Sequence, residues 1–205
     1  MDFKMIPTKG NLMIAKNSLA LAKQGYELMD KKRNILIREL MDLISQAESI
    51  QKEIDSTFTK AYKMLQIANI EMGISTVSAF AGAVPIENSL KIKSRSIMGT
   101  EIPLVEYDKS GKDVPVYGFV NTRASLDLAR MEFEKVKDLT IRLSMIENAA
   151  YRLAYNIKKT QKRANSLQNI TIPGYDSLTR NISNALEEKE REEFTRLKVI
   201  KERIS

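Results

Sequence analysis

An apolar side chain recurs in alternating steps of three and four residues from Leu12 to Ala68, and no other feature constrains the fold as strongly. Residues at this spacing line one face of an α-helix, and a seven-residue repeat of such length is typical of a coiled coil. Within the stripe only Arg33 and Thr57 are polar. A lone polar residue such as Arg33 more often fixes the register of a coiled coil than binds a ligand. The sequence therefore predicts one long helix over residues 8–72.

A second stripe with the same repeat runs from Val136 to Leu167 and predicts a helical segment over residues 122–205. Two long helices joined by a shorter segment predict an all-α-dominated fold, a long intramolecular antiparallel coiled coil with a small β-hairpin insert between its helices. The two stripes would meet along one apolar seam, and burial of that seam would be the main driving force for pairing. The predicted seam residues are Leu19, Tyr26, Leu36, Leu40, Ile54, Leu143, Ile146, Leu153, Ile157 and Leu167.

The segment between the stripes, residues 73–121, differs in composition because glycines and prolines are spread along it. SLKIKSRSIM and EIPLVEY alternate apolar and polar residues as strands do, and DKSGKD, between EIPLVEY and VPVYGF, has the composition of a turn. We therefore expect a small β-hairpin in this insert. Pro103 and Pro115 would confine their strands to sheet edges, because proline lacks the N–H that a central strand donates.

The second stripe is interrupted at Pro173 and Gly174, in the stretch LQNITIPGYDSL, and resumes at Tyr175 and Leu178. Proline removes one backbone hydrogen bond and its ring clashes with the preceding turn, so we expect a helix break near residues 173–174. Such a break either only bends the helix or redirects the final segment towards a partner.

The residue types leave little room for catalysis. The chain has no cysteine and no histidine, which removes the usual nucleophile, the usual general base and the best zinc ligands. Thr8, Lys9 and Gly10 lack the spacing of a phosphate-binding loop, and Pro7 followed by Thr8 or Asn11 is more typical of a helix start. Acidic pairs near the C-terminus alternate with basic residues at helical spacing, as in surface ion pairs. We expect no catalytic, cofactor-binding or metal-binding residue.

The formal net charge of +7 raises the question of an anionic partner. The 33 basic residues are interleaved with 26 acidic ones, and the cluster at Lys158, Lys159, Lys162 and Arg163 has no aromatic residue within it for base stacking. We therefore expect no nucleic-acid binding. No segment reaches the roughly 20 apolar residues of a spanning helix, so we expect a soluble, cytoplasmic chain without direct membrane insertion.

Four stretches of the chain resemble one known family. PTKGNL and SLALAKQGYELMDKKRNIL near the N-terminus, with NIKKTQKRANSLQNITIP and LEEKEREEFTRLKVIK near the C-terminus, are similar to the terminal blocks of the D subunit of the rotary V-type (archaeal/vacuolar-type) ATPases and ATP synthases. The resemblance spans nearly the whole chain and is weakest in the middle insert.

The resemblance implies a non-catalytic central rotor shaft that turns inside a ring of catalytic A and regulatory B subunits. It also implies two further partners, the F subunit on the side of the shaft and a socket subunit above the membrane ring that moves protons or sodium ions. The chain would then lie on the cytoplasmic face of the membrane, and the insert from Lys91 to Phe119 would match the family's hairpin. The residues that the resemblance assigns to the ring-inserted end are Pro7, Lys9, Leu12, Lys16, Glu187, Arg191, Arg196 and Lys198.

Two alternatives stay open at this point. A basic coiled-coil adaptor that binds nucleic acid or a membrane surface would have a similar helical pattern. A shaft like the F-type gamma subunit would share the architecture.

Overall fold

The computed structural model describes residues 5–84, 86, 88–106 and 117–204. The predicted fold class is confirmed, because long helices make up most of the chain and a small antiparallel hairpin lies between them in sequence. Within the described ranges, no helix combines the length and apolar composition needed to cross a bilayer. The elements in order are α1 (Lys9–Met72), α2 (Ile74–Gly82), β1 (Lys91–Ile97), β2 (Thr100–Glu106), α3 (Ala124–Ser166), a π-helical turn (Leu167–Thr171) and α4 (Ile172–Ile204).

Helix α1 starts and stops at residues suited to those positions. The Asn11 N–H donates to Thr8 Oγ1 at 3.1 Å, so Thr8 caps the first turn. At the other end, Gly73 has a φ of 84°, in the left-handed region that favours glycine. Its N–H donates to the Asn69 carbonyl oxygen at 3.0 Å. Gly73 therefore ends α1 and allows α2 to begin at the next residue.

The hairpin is present, and its turn lies at Met98 and Gly99, positions that the prediction did not name. β1 and β2 pair antiparallel, with Ile97 opposite Thr100 at the turn. Met98 and Gly99 connect them with positive φ values of 49° and 76°, as a two-residue type I′ turn requires. DKSGKD and Pro115, which we expected in a turn and in a strand, lie outside the described residues.

Strand β2 lies along α3, which fixes the hairpin on that helix. Three contacts join side chains of α3 to β2. They are Arg152 Nη1 to the Glu101 carbonyl oxygen (3.1 Å), Asn156 Nδ2 to Thr100 Oγ1 (2.9 Å) and Val105 N to Met145 Sδ (2.9 Å).

The chain forms two compact units, Met1–Ile35 with Ile157–Ser205, and Leu36–Asn156. Each unit contains part of α1 and part of the C-terminal helical segment. Contacts inside each unit show how these two parts pair.

In the first unit the two parts run antiparallel. Lys9 contacts Glu190, whereas Arg33, further along α1, contacts Gln161, which lies earlier in the C-terminal segment. An apolar cluster is buried between them. Its members are Ala15, Leu178 and Ile182, with Leu12, Tyr175 and Leu186 packed around them.

The second unit shows the same antiparallel pairing. Tyr62 meets Phe133 edge-on with ring centroids 5.5 Å apart, whereas Glu71, further along α1, accepts a 2.6 Å hydrogen bond from Ser125. A second apolar cluster lies where α2 packs in this unit. It consists of Ala68, Val77, Tyr117 and Leu126, with Leu65, Met72 and Phe80 packed against them.

The irregularity predicted at Pro173 and Gly174 lies one turn earlier in the structure. The Ile172 N–H donates to the carbonyl oxygen of Leu167, five residues back, as in a π-helix, and α4 continues through both predicted break residues. Proline has no N–H for the carbonyl oxygen of Asn169, and its ring crowds that oxygen. Widening the preceding turn relieves this crowding without ending the helix.

Candidate partner-contact surfaces

The predicted seam residues are buried or half-buried in the structure. Leu36, Ile54 and Leu153 are buried, and Leu36 and Leu153 are 0% exposed. The small stripe residues Ala15 and Ala61 are also 0% exposed, so the helices approach closely there. The other predicted seam residues are half-buried, namely Leu19, Tyr26, Leu40, Leu143, Ile146, Ile157 and Leu167.

Two residues of the ring-end prediction, Lys9 and Leu12, lie beside α4 in the first unit. Lys9 forms an ion pair of 3.0 Å with Glu190, and Leu12 packs on the buried cluster of that unit. Hydrogen bonding to Glu190, together with the charge of that carboxylate, raises the pKa of Lys9 above its usual value. Pro7 is half-buried, and Lys16 is exposed.

The α4 members of the same prediction are all exposed. Of these, Arg196 pairs with Glu192 of its own helix at 3.9 Å. The two helices α1 and α4 therefore meet at Lys9 and Leu12. Arg191, Arg196 and Lys198 follow Glu190 along α4. The exposed α4 residues are Glu187, Arg191, Arg196 and Lys198.

An exposed apolar stripe, which we call the terminal stripe, follows Glu190 on α4. Phe194, Leu197, Ile200 and Ile204 are 71%, 66%, 52% and 82% exposed. Their spacing of three or four residues places them along one face of the helix. Exposed apolar surfaces of this kind are typical of binding sites for proteins, membranes or ligands. These residues are missing from the predicted ring-end set, although the run FTRLKVIKERI keeps the same spacing.

A second exposed apolar surface, the lateral patch, lies in the second unit. Its residues are Ile37, Met41, Ile44, Tyr151 and Tyr155, which are 39%, 59%, 40%, 76% and 64% exposed. All except Tyr155 directly follow a stripe residue, and Tyr155 lies one turn beyond Tyr151. In an antiparallel helix pair, residues one position after the seam lie on the same side of both helices. The five side chains therefore belong to one side of the pair.

The hairpin occupies the other side of this helix pair. Met145, Arg152 and Asn156, which contact β2, each directly precede an apolar stripe residue. A residue that precedes the seam by one position points to the opposite side from a residue that follows it. The lateral patch is therefore not covered by β1 or β2.

Known proteins resemble this chain over nearly its whole length. The family model for the D subunit of ATP synthase matches residues 11–202. The D subunit of the V-type ATP synthase of Thermotoga neapolitana is 43% identical over 199 residues, which cover 97% of this chain and 98% of that protein. The D subunits of the A-type ATP synthases of Thermococcus sibiricus and Methanosphaera stadtmanae are each 36% identical, covering 97% of this chain and 94% of theirs. A match of this extent shows that the chain belongs to the family of ATP synthase D subunits.

Proposed function

We propose that the chain is the central-stalk rotor subunit of a V-type ATPase or ATP synthase. In this role it is non-catalytic and transmits torque between a ring of catalytic A and regulatory B subunits and a membrane ring that translocates protons or sodium ions. Family membership over nearly the whole chain is the observation that carries the proposal. The antiparallel helix pairing and the buried seam inside each unit support it, because a shaft must resist twisting and close-packed side chains do so.

The outer surface suits a part that turns against its neighbours. Several of its ion pairs are exposed, as at Arg180 and Asp176 with 2.9 Å between Nη2 and Oδ2. Exposed pairs of this kind contribute about 0–1 kcal/mol, so they exchange partners easily. Such pairs would not hold the shaft at one position of the ring.

The terminal stripe is the part of the chain that we assign to the ring. Together with the neighbouring ring-end residues Lys9 and Arg191, it would contact the A and B subunits at the inserted end. The apolar side chains would be covered there, and the charged residues between them would remain at the rim, as in most protein interfaces.

The lateral patch is the surface that we assign to the F subunit. Tyrosine and methionine are enriched at protein interfaces. Tyr151, Tyr155 and Met41 are more than half exposed in the described part of the chain. The unit that carries the hairpin would face the socket subunit, and the whole assembly would lie on the cytoplasmic face of the membrane.

The test adds the chain and the F subunit to a reconstituted ring of A and B subunits. The wild-type chain should change ATP turnover by the ring, and the chain alone should neither bind nor hydrolyse ATP. A variant with Phe194→Ser, Leu197→Ser and Ile200→Ser should lose the effect on the ring. A matched control changes three exposed apolar residues of the second unit, Ile70→Ser, Ile74→Ser and Leu128→Ser, and should retain it. Ring turnover that the wild-type chain leaves unchanged would contradict the proposal.

A further inference from the structure

We propose that the outer edge of β1 is a docking site for an extended acidic segment of another protein, which adds to the hairpin as a third strand. The inference rests on the geometry and charge of the hairpin, so it stands or falls independently of the proposed rotor function.

The hairpin register determines which backbone groups of β1 face outward. A two-residue turn is closed by a hydrogen-bonded pair, here Ile97 and Thr100, and such pairs alternate with non-bonded ones along an antiparallel ladder. The N–H and C=O groups of Ile92, Ser94 and Ser96 therefore point away from β2. All three residues are exposed.

The two edges of the hairpin have different surroundings. The outer edge of β2 lies on α3, where the Val105 N–H contacts Met145 and the Glu101 carbonyl oxygen accepts a hydrogen bond from Arg152. The sheet has two strands in the described part of the chain, so no described strand covers the outer edge of β1. An uncovered strand edge is a template for strand addition by a partner.

One face of β1 carries a row of cations. Lys91, Lys93 and Arg95 occupy every second position, so their side chains project to the same face at intervals of about 7 Å. All three are exposed. Lys93 forms an ion pair of 2.6 Å with Glu106 of β2, whereas Lys91 and Arg95 have no carboxylate partner among the described residues.

This row determines which strand can dock. Opposite charges on adjacent strands stabilise pairing, and like charges destabilise it. A second copy of β1 would bring its own cations against the row, so pairing between copies is disfavoured. A strand with Asp or Glu at every second position would place a carboxylate beside each cation. The surface therefore selects an acidic segment with this alternation.

The experiment uses the full chain and two synthetic peptides of the same composition. One peptide alternates Thr and Glu, and the other groups all its Glu residues at one end. Binding is followed by amide hydrogen exchange in the chain. We expect the alternating peptide to slow exchange of the Ile92, Ser94 and Ser96 amides by about tenfold or more at millimolar peptide, and the grouped peptide to leave them unchanged.

Two variants separate backbone recognition from charge. Ser94→Pro removes one outward N–H and spares the hairpin ladder, because Ser94 lies opposite Pro103 in a pair that exchanges no ladder hydrogen bonds. Lys91→Glu with Arg95→Glu reverses two charges of the row. Each should lower affinity for the alternating peptide by about tenfold or more. Continued protection of the inward amides of Lys93 and Arg95 in Ser94→Pro shows that the hairpin is intact.

The control variant is Lys60→Glu, which reverses an exposed charge on α1 and should bind the alternating peptide as the wild type does. Equal binding of both peptides would overturn the proposal, and so would a failure of the alternating peptide to protect the edge amides. Binding that survives Ser94→Pro and is displaced equally by DNA or anionic vesicles would also overturn it. That result would identify a general anion-binding surface instead.

Discussion

Gly25 of α1 faces Leu167 of the π-helical turn, and a Cβ placed on Gly25 would lie 3.8 Å from Leu167 Cδ1. This is an ordinary van der Waals distance, so alanine fits at position 25. Glycine inside a helix is less stable than alanine by about 0.5–1 kcal/mol, and Gly25→Ala should raise the free energy of unfolding by about this amount. Denaturant unfolding followed by circular dichroism measures the change.

The control for this variant is Gly10→Ala, where an added Cβ would meet no atom within 4 Å. The change in its free energy of unfolding measures the effect of helix propensity without a new contact. A lower free energy of unfolding for Gly25→Ala would show that the helices are packed too tightly at Leu167 to accept a methyl group.

Burial of Leu36 and Leu153 could be predicted from the sequence because the apolar period indicates which face of a long helix is buried. That period predicts Leu36 and Leu153 as seam residues, and both are fully buried. The turn of the hairpin could not be predicted in this way. Met98 adopts a φ of 49°, which glycine or asparagine normally supplies, and the pairing of β1 with β2 imposes it.

Two further features depend on context that the sequence does not display. Pro173 indicates a disturbance, but its form depends on how the helix relieves the clash, and here the preceding turn widens at residues 167–171. The terminal stripe is hard to recognise in the sequence because charged residues dominate that part of α4. Its apolar spacing becomes informative only when the structure shows Phe194 to be exposed.

Pro173→Ala with Gly174→Ala should stabilise the helical segment. Proline and glycine inside a helix are less favourable than alanine by about 3 and 1 kcal/mol. These values set the upper limit of the increase in the free energy of unfolding. If the π-helical turn orients α4 for the ring, the same variant should lower ATP-driven ion pumping in the reconstituted complex. Thermal unfolding and pumping are measured on one preparation. Greater stability with unchanged pumping would mean that the irregularity only bends the helix.

Tyr117 should make stability fall at high pH. Its hydroxyl donates a 2.6 Å hydrogen bond to Asp127. Burial first, and then this bond and the Asp127 charge, raise the pKa of Tyr117 to about 12. An unfolded tyrosine titrates near pH 10, so between about pH 10 and 12 the unfolded state has lost a proton that the folded state keeps. The stabilisation is complete below pH 10 and is lost as the pH rises through 12.

Tyr117→Phe should be less stable than the wild type at pH 7 by about 1–3 kcal/mol, because a hydrogen bond to a carboxylate is lost. Its unfolding midpoint should then fall less steeply between about pH 10 and 12. Tyr151→Phe, at a tyrosine that is 76% exposed, is the control and should follow the wild-type curve. Parallel curves for wild type and Tyr117→Phe would contradict the assignment.

The lateral patch should be required for binding of the F subunit. Met41→Glu with Tyr151→Glu places two charges on exposed positions, so the unfolding midpoint should stay near that of the wild type. Charges at the centre of an interface typically cost about 2 kcal/mol or more, and the co-expressed F subunit should no longer co-purify. Ile70→Glu, at a 78% exposed residue outside the patch, should retain it. Co-purification with the double variant would exclude the patch as the docking site.

Rotation of the chain inside the ring is the most direct test of the proposed role. The chain has no cysteine, so Ser78→Cys, at an exposed position of α2, accepts a single bead or fluorophore. With the A and B ring fixed to a surface, added ATP should drive the probe in one direction in discrete steps, and removal of ATP should stop it. A probe that stays fixed relative to the ring, or that diffuses equally in both directions, while the same complexes hydrolyse ATP would contradict the rotor function.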